Sequence, residues 1–148
     1  MIATKNPPSL RRLRKPTLST RFHIDYAWWE RSAEKLDIYL HHLLPADLRD
    51  RLPEDANDSA EEQDWVHPKT GQVSRLNALQ RAILTASQRP NFINPQASLV
   101  DVVFRILLAH NNAPLTVAEL AAQSGRSASD ILKLIGSRRV YKGIRPVD

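Results

Sequence analysis

The chain contains no cysteine and only four glycines, although ten prolines occur among its 148 residues. The absence of cysteine excludes disulfides and thiolate metal sites, and it leaves a reducing cytoplasm as the default location. No apolar run approaches the roughly 18 residues of a membrane span, so we expect no contact with a membrane. The N-terminal residues lack the apolar stretch of a secretory signal. We therefore predict a cytoplasmic protein whose chain is interrupted by rigid proline connections.

The residue patterns of catalysis are missing as well. There is no glycine-rich phosphate loop, no nucleophile elbow and no Cys/His pair. Paired carboxylates occur only within residues 54–64, a segment with almost no apolar residues that predicts a solvated loop. His41 and His42 are adjacent and point to different faces, whereas His23 and Asp25 supply too few ligands for a metal ion. We expect a protein that is not an enzyme and that holds no metal and no cofactor.

Charge is distributed in blocks along the chain. Residues 1–21 hold six Lys or Arg and no acidic residue, and residues 22–66 hold four Lys or Arg and twelve Asp or Glu. Residues 67–97 have a net charge of +4, residues 98–148 have +3, and the whole chain has +5. Basic ends around an acidic middle fit contact with a polyanion at the ends. They fit equally well an acidic middle that binds a basic partner.

Residues 1–21 contain three prolines and no sustained hydrophobic period, which predicts a flexible basic arm. This arm could lie along phosphates or bind a protein partner. The leucines among the charges favour protein docking, because a strict phosphate-binding tail needs none. The candidate contact residues in the arm are Arg11, Arg12, Arg14 and Lys15.

Residues 22–97 predict a helical region. Apolar residues recur at helical spacing over residues 26–44, with Asp25 as the expected N-cap, and further helices are expected after Pro45 and over residues 76–87. Two other segments interrupt the helices. They are an acidic loop at residues 53–64 and a short β-hairpin at residues 65–73, around a Pro-Lys-Thr-Gly turn.

Three aromatic side chains lie close together at the start of this region. Tyr26, Trp28 and Trp29 occupy a little more than one helical turn, so they cannot all share one face. A role as core anchors is the favoured interpretation, because Trp is strongly buried on average. The alternative is a protein interface, where Trp is enriched.

Three helix-start signals follow in residues 98–148. Ser98, Thr116 and Ser127 each precede a carboxylate by three positions and open an apolar run, which is the capping-box pattern or its Asp variant. Gly125 separates the second helix from the third and permits a sharp turn between them. The pattern predicts a unit of three helices.

Residues 98–147 resemble the winged helix-turn-helix superfamily. The stretch 113–125 is similar to its segment from first strand through second helix, and the stretch 126–135 is similar to its third, recognition helix. Residues 138–147 would form an abbreviated wing with a turn at Lys142-Gly143. We therefore expect a mainly α fold with a winged helix-turn-helix-like unit at residues 98–148, an N-terminal helical extension and a short β-hairpin.

The resemblance implies nucleic-acid binding, with the third helix in the major groove. Basic residues flank that helix more than they occupy it, which favours phosphate contacts and weak sequence specificity. The alternative is a protein adaptor or assembly subunit on the same scaffold, and a homodimer stays open. The candidate nucleic-acid-binding residues are Arg126, Ser129, Lys133, Ser137, Arg138, Arg139, Lys142 and Arg145.

Overall fold

The computed structural model describes residues 15–56 and 61–147. Over these residues the protein is a small α+β fold with seven helices, 44% helix and 14% strand, which agrees with a mainly α class. Every helix of the described residues is too short or too polar to cross a lipid bilayer. In chain order the elements are β1 (Arg21–Ile24), α1 (Tyr26–Arg31), α2 (Leu36–Leu43), α3 (Ala46–Asp50), β2 (Gln63–Val66), β3 (Val73–Leu76), α4 (Ala78–Ser87), α5 (Leu99–Ala109), β4 (Leu115–Thr116), α6 (Val117–Ser124), α7 (Ala128–Ile135) and β5 (Ile144–Pro146).

The described chain divides into two compact units. The first, here called the sheet unit, combines residues 15–27 with residues 94–147. The second, here called the hairpin unit, comprises residues 28–56 and 61–93. The sheet unit therefore draws on both ends of the described sequence.

The predicted single helix over residues 26–44 is wrong, because the chain leaves the helix between α1 and α2. Its predicted N-cap is confirmed, since the Asp25 carboxylate accepts a hydrogen bond from the Ala27 N–H at 3.0 Å. After α1, the Ser32 hydroxyl accepts from the Glu34 N–H at 3.1 Å. A serine that bonds the local backbone competes with the helical ladder, and this explains the break.

The hairpin expected near residues 65–73 has its strands at β2 and β3, which pair antiparallel with Val66 opposite Val73. The His67 N–H donates to the Gln72 carbonyl at 2.8 Å and closes the turn. The start of the acidic loop is partly a core element, because Ala56 is buried and its carbonyl accepts from the Leu79 N–H at 3.1 Å. Residues 57–60 lie outside the described residues.

The sheet unit is organised around β1. This strand pairs antiparallel with β4 on one side and β5 on the other, so the order is β4-β1-β5. Phe22 and Ile24 point inward and are almost completely buried. The helical region expected from residue 22 therefore begins with a strand. Two inward apolar residues in a four-residue strand are too short a pattern to indicate a strand by alternation.

A single side chain joins β1 to the end of α5. The Asn112 amide group donates to the Ile24 carbonyl at 2.9 Å, and its oxygen accepts from the Ile24 N–H at 2.7 Å. Asn112 has a φ of 61°, in the left-handed region that Asn tolerates better than most residues. Helix α5 itself is largely buried, as its apolar character on nearly all sides predicts.

Candidate nucleic-acid interface

The three predicted helix starts are confirmed in the sheet unit. The hydroxyls of Ser98, Thr116 and Ser127 accept the N–H three residues later, at 3.4, 3.1 and 3.3 Å respectively. At the second start the Glu119 carboxylate also accepts from the Thr116 N–H at 2.9 Å, which completes a capping box. The backbone hydrogen bond from Thr116 holds the pKa of the Glu119 carboxyl below its ordinary value.

Helices α6 and α7 are joined by a short turn. Gly125 has a φ of 70° and donates its N–H to the Ala121 carbonyl at 3.0 Å, so it ends α6 in the left-handed conformation. Leu120 on α6 and Ile131 on α7 are fully buried. Helix α7 therefore turns its Ile131 face inward and leaves a polar face in solvent.

The predicted turn at Lys142-Gly143 is confirmed. Lys142 and Gly143 have φ angles of 53° and 76°, and the Ile144 N–H donates to the Tyr141 carbonyl at 3.0 Å. Positive φ at both central residues is the signature of a two-residue type I′ hairpin turn. The Gly143 carbonyl also accepts from the Asp25 N–H at 2.7 Å, so the N-terminal part of the chain holds the turn in place.

Five of the eight candidate contact residues are exposed. They are Ser129, Lys133, Ser137, Arg138 and Arg139. Among the residues that the structure describes, Lys133 and Arg138 have no ion-pair partner. The Arg139 guanidinium lies 5.0 Å from the centre of the Tyr141 ring, which orients it by a cation–π contact. The Ser137 hydroxyl lies 3.0 Å from the Leu134 carbonyl, so it helps to close the turn after α7.

Two of the candidate arginines are held by partners within the sheet unit. The Arg126 guanidinium donates to the carbonyls of Pro95 and Ala97 at 3.4 and 3.2 Å. Arg145 forms an ion pair with Asp25 at 3.3 Å. Both side chains brace the fold. Sequence reasoning missed Asp25 in this role, because it lies 120 positions from Arg145 and no local signal links them.

Of the four candidate residues in the N-terminal arm, one lies within the described part of the chain. Lys15 is exposed, whereas Arg11, Arg12 and Arg14 lie outside the described residues.

Tyr26 is 43% exposed, Trp28 is half-buried and Trp29 is only 4% exposed. The Trp29 ring stacks on Tyr39 at 5.6 Å between centroids, so Trp29 is a core residue of the hairpin unit.

No family model, curated protein or solved structure matches this chain. Across residues 15–56 and 61–147, no group of three or more His, Asp or Glu side chains is arranged to hold a metal ion. The candidate residues present exposed guanidinium, ammonium and hydroxyl groups. Such groups bind anions, and above all phosphates.

Proposed function

We propose that this chain is a non-enzymatic, cytoplasmic DNA-binding protein of winged helix-turn-helix type that grips the phosphate backbone with weak sequence specificity. The observation that carries the proposal is the cluster of exposed cations at the end of α7. Lys133, Arg138 and Arg139 lie there and are exposed. Residues 131–147, which include them, contain five Lys or Arg and no Asp or Glu. Clustered cations attract a polyanion, and the nearest carboxylate in the sequence is Asp130, three residues before Lys133.

The order of elements supports the winged-helix assignment. Helix α5 is followed by the short strand β4 and then by α6 and α7, which a glycine turn joins. A tight turn and the last strand, β5, complete the order. In the sheet, β1 occupies the position between β4 and β5. This N-terminal strand replaces the pairing that a longer wing would supply.

Weak sequence specificity follows from the composition of the exposed face of α7. Its polar side chains include Ser129, Asp130 and Lys133, and it has no Asn, Gln or Arg to make bidentate contacts with bases. The Asp130 carboxylate would also repel phosphates. Most of the binding free energy would then come from phosphate contacts, which release counterions and carry no sequence information.

The test is duplex-DNA binding as a function of salt, with the full chain and a Lys133→Gln/Arg138→Gln/Arg139→Gln variant. We expect steep salt dependence for the parent, and a slope smaller by about one unit for each phosphate contact that the variant loses. The matched control is Arg31→Gln/Lys35→Gln/Arg51→Gln, which removes three exposed cations from the hairpin unit. No binding by the parent at low salt, or equal slopes for the two variants, contradicts the proposal.

A protein adaptor is the second candidate function. Leu18 and Tyr26 favour it, because these large apolar side chains of the sheet unit are 48% and 43% exposed. Two results together would support the adaptor. The parent would retain a protein partner that a Leu18→Ser/Tyr26→Ser variant loses, and the parent would not bind DNA.

A further inference from the structure

The loop between α7 and β5, residues 136–143, is fixed at both of its ends. At the first end the Ser137 hydroxyl lies 3.2 Å from the Arg139 carbonyl. At the second end the Tyr141 carbonyl accepts from the Ile144 N–H at 3.0 Å, and the Ile144 side chain is almost completely buried. Local hydrogen bonds and a buried anchor therefore hold the loop backbone in one conformation.

Within this loop the Tyr141 ring supports the side chain of Arg139. The ring is half-buried, and the Arg139 guanidinium lies over it, 5.0 Å from its centre. Among the described residues, this guanidinium has no ion-pair partner and no hydrogen-bond acceptor. A contact with a ring face consumes none of the five N–H donors of an arginine, so all five stay available to an anion.

The preceding residue provides a comparison inside the same loop. Arg138 is also exposed, but among the described residues its side chain makes no ion pair, hydrogen bond or ring contact. A free arginine loses its rotamer freedom when it binds a ligand, whereas one that is already held loses less. Arg139 is therefore the better prepared of the two adjacent cations.

We propose that Tyr141 is a positioning residue, which holds Arg139 in place to bind a phosphate diester of the DNA backbone. This inference rests on the proposed function. Because the guanidinium covers one face of the ring, a base cannot stack on that face. The contact made here is therefore with phosphate and does not depend on the base sequence.

The first test is duplex-DNA binding by the full chain with Tyr141→Leu or Tyr141→Phe. We expect Tyr141→Leu to weaken binding about two- to five-fold, which is the effect of losing one exposed cation–π contact. Tyr141→Phe keeps a ring and should bind like the parent. The salt slope should stay unchanged in both variants, because the positive charge of Arg139 remains, whereas Arg139→Gln should lower that slope by about 0.9.

A double-mutant cycle shows whether Tyr141 acts through Arg139. We expect Tyr141→Leu to cause no further loss of affinity in the Arg139→Gln background, and its full loss in the matched Arg138→Gln background. A general structural role of Tyr141 would weaken binding equally in both backgrounds.

Two surface substitutions test the same point without changing Tyr141, so they apply even if Tyr141→Leu does not fold. Lysine keeps the charge but lacks the planar guanidinium that stacks on an aromatic ring. We therefore expect Arg139→Lys to weaken binding more than Arg138→Lys. Equal losses in these two variants would overturn the inference.

The outcomes separate this inference from the proposed function. If the parent does not bind duplex DNA at low salt, both fail. If the parent binds and depends on Arg138 and Arg139, three results overturn the positioning role alone. They are parent-like binding by Tyr141→Leu, a loss for Tyr141→Phe as large as that for Tyr141→Leu, and an equal effect of Tyr141→Leu in the two arginine backgrounds.

Discussion

One side chain, that of Asn112, helps to hold the N-terminal strand in the sheet unit. The Asn112 amide group satisfies both backbone groups of Ile24, which is almost completely buried. Loss of these hydrogen bonds would lower the free energy of unfolding, because water cannot reach the buried N–H and carbonyl groups to replace them. Since Asp25 follows Ile24 and bonds the Gly143 carbonyl, Asn112 also supports the turn at Lys142-Gly143.

We expect Asn112→Gly to lower the free energy of unfolding by about 1–3 kcal/mol, because it leaves the Ile24 backbone groups without partners. Glycine accepts the positive φ at this position, so backbone strain does not contribute. Asn111→Gly is the matched control, since its φ of 53° is also positive and its side chain is exposed. Urea unfolding followed by circular dichroism measures both. Equal losses in the two variants would show that the amide contacts contribute nothing.

An exposed ion pair in the hairpin unit gives a second prediction at the residue scale. The Arg89 guanidinium donates to both carboxylate oxygens of Asp47, at 2.8 and 2.7 Å. These hydrogen bonds lower the pKa of Asp47 from 3.8 to about 2. Because the pKa of Asp47 is lowered in the folded state, the ion pair stabilises the folded protein above about pH 4. This stabilisation is lost as pH falls towards 2.

We expect Arg89→Gln to return the pKa of Asp47 towards 3.8, since it removes the hydrogen bonds that favour the charged carboxylate. A titration of the Asp47 carboxyl carbon by NMR, in parent and variant, measures the change. The effect on stability should be small, because exposed ion pairs are screened by water. An unchanged midpoint in the variant would contradict the assigned cause.

At the scale of elements, the orientation of α7 depends on the turn that precedes it. Gly125 has a φ of 70°, and a Cβ added there would meet no atom within 4 Å. The cost of a side chain at this position is therefore backbone strain alone. Asn tolerates the left-handed conformation better than Ala, so the two substitutions separate strain from packing.

We expect Gly125→Ala to lower the free energy of unfolding by about 1–2 kcal/mol, and Gly125→Asn to lower it by less. Urea unfolding of both variants measures this difference. If DNA binding requires the orientation of α7, affinity at fixed salt should fall in the same order. A loss for Asn as large as that for Ala would indicate that the added atoms, and not φ, cause the effect.

The starts of three helices and one tight turn in the sheet unit were predicted from local signals in the sequence. The starts of α5, α6 and α7 each depend on one hydroxyl side chain and the N–H three residues later, and the turn at Lys142-Gly143 depends on two adjacent residues. The break between α1 and α2 was missed because the apolar spacing continues through Ser32. Strand β1 was missed because its partners, β4 and β5, are more than 90 positions away.

At the scale of the whole molecule, charge is segregated by unit. The sequence ranges of the sheet unit, residues 1–27 and 94–148, hold thirteen Lys or Arg and five Asp or Glu. The range of the hairpin unit, residues 28–93, holds eight and eleven. The net charges are thus +8 and −3. This separation supports the proposal that a polyanion binds the sheet unit, and it makes the hairpin unit the correct place for the charge control.

The candidate site could be predicted only in part. Ser129, Lys133, Arg138 and Arg139 are exposed, as residues that contact a ligand must be. Arg126 and Arg145 look equivalent to them in the sequence, yet their guanidinium groups are engaged by the Pro95 carbonyl and by Asp25. A basic residue that braces the fold cannot be told from one that binds a ligand until its neighbours in space are known.

The sequence by itself determined the helix caps at Ser98, Thr116 and Ser127, the turns at residues 68–71 and 142–143, and the concentration of positive charge towards both ends of the chain. These features depend on residues within a few positions of one another, or on composition alone. Only the tertiary structure decided that β1 lies between β4 and β5 and that Asp25 neutralises Arg145. The physical reason is that these contacts join residues about 90 to 120 positions apart, where no local preference specifies the partner.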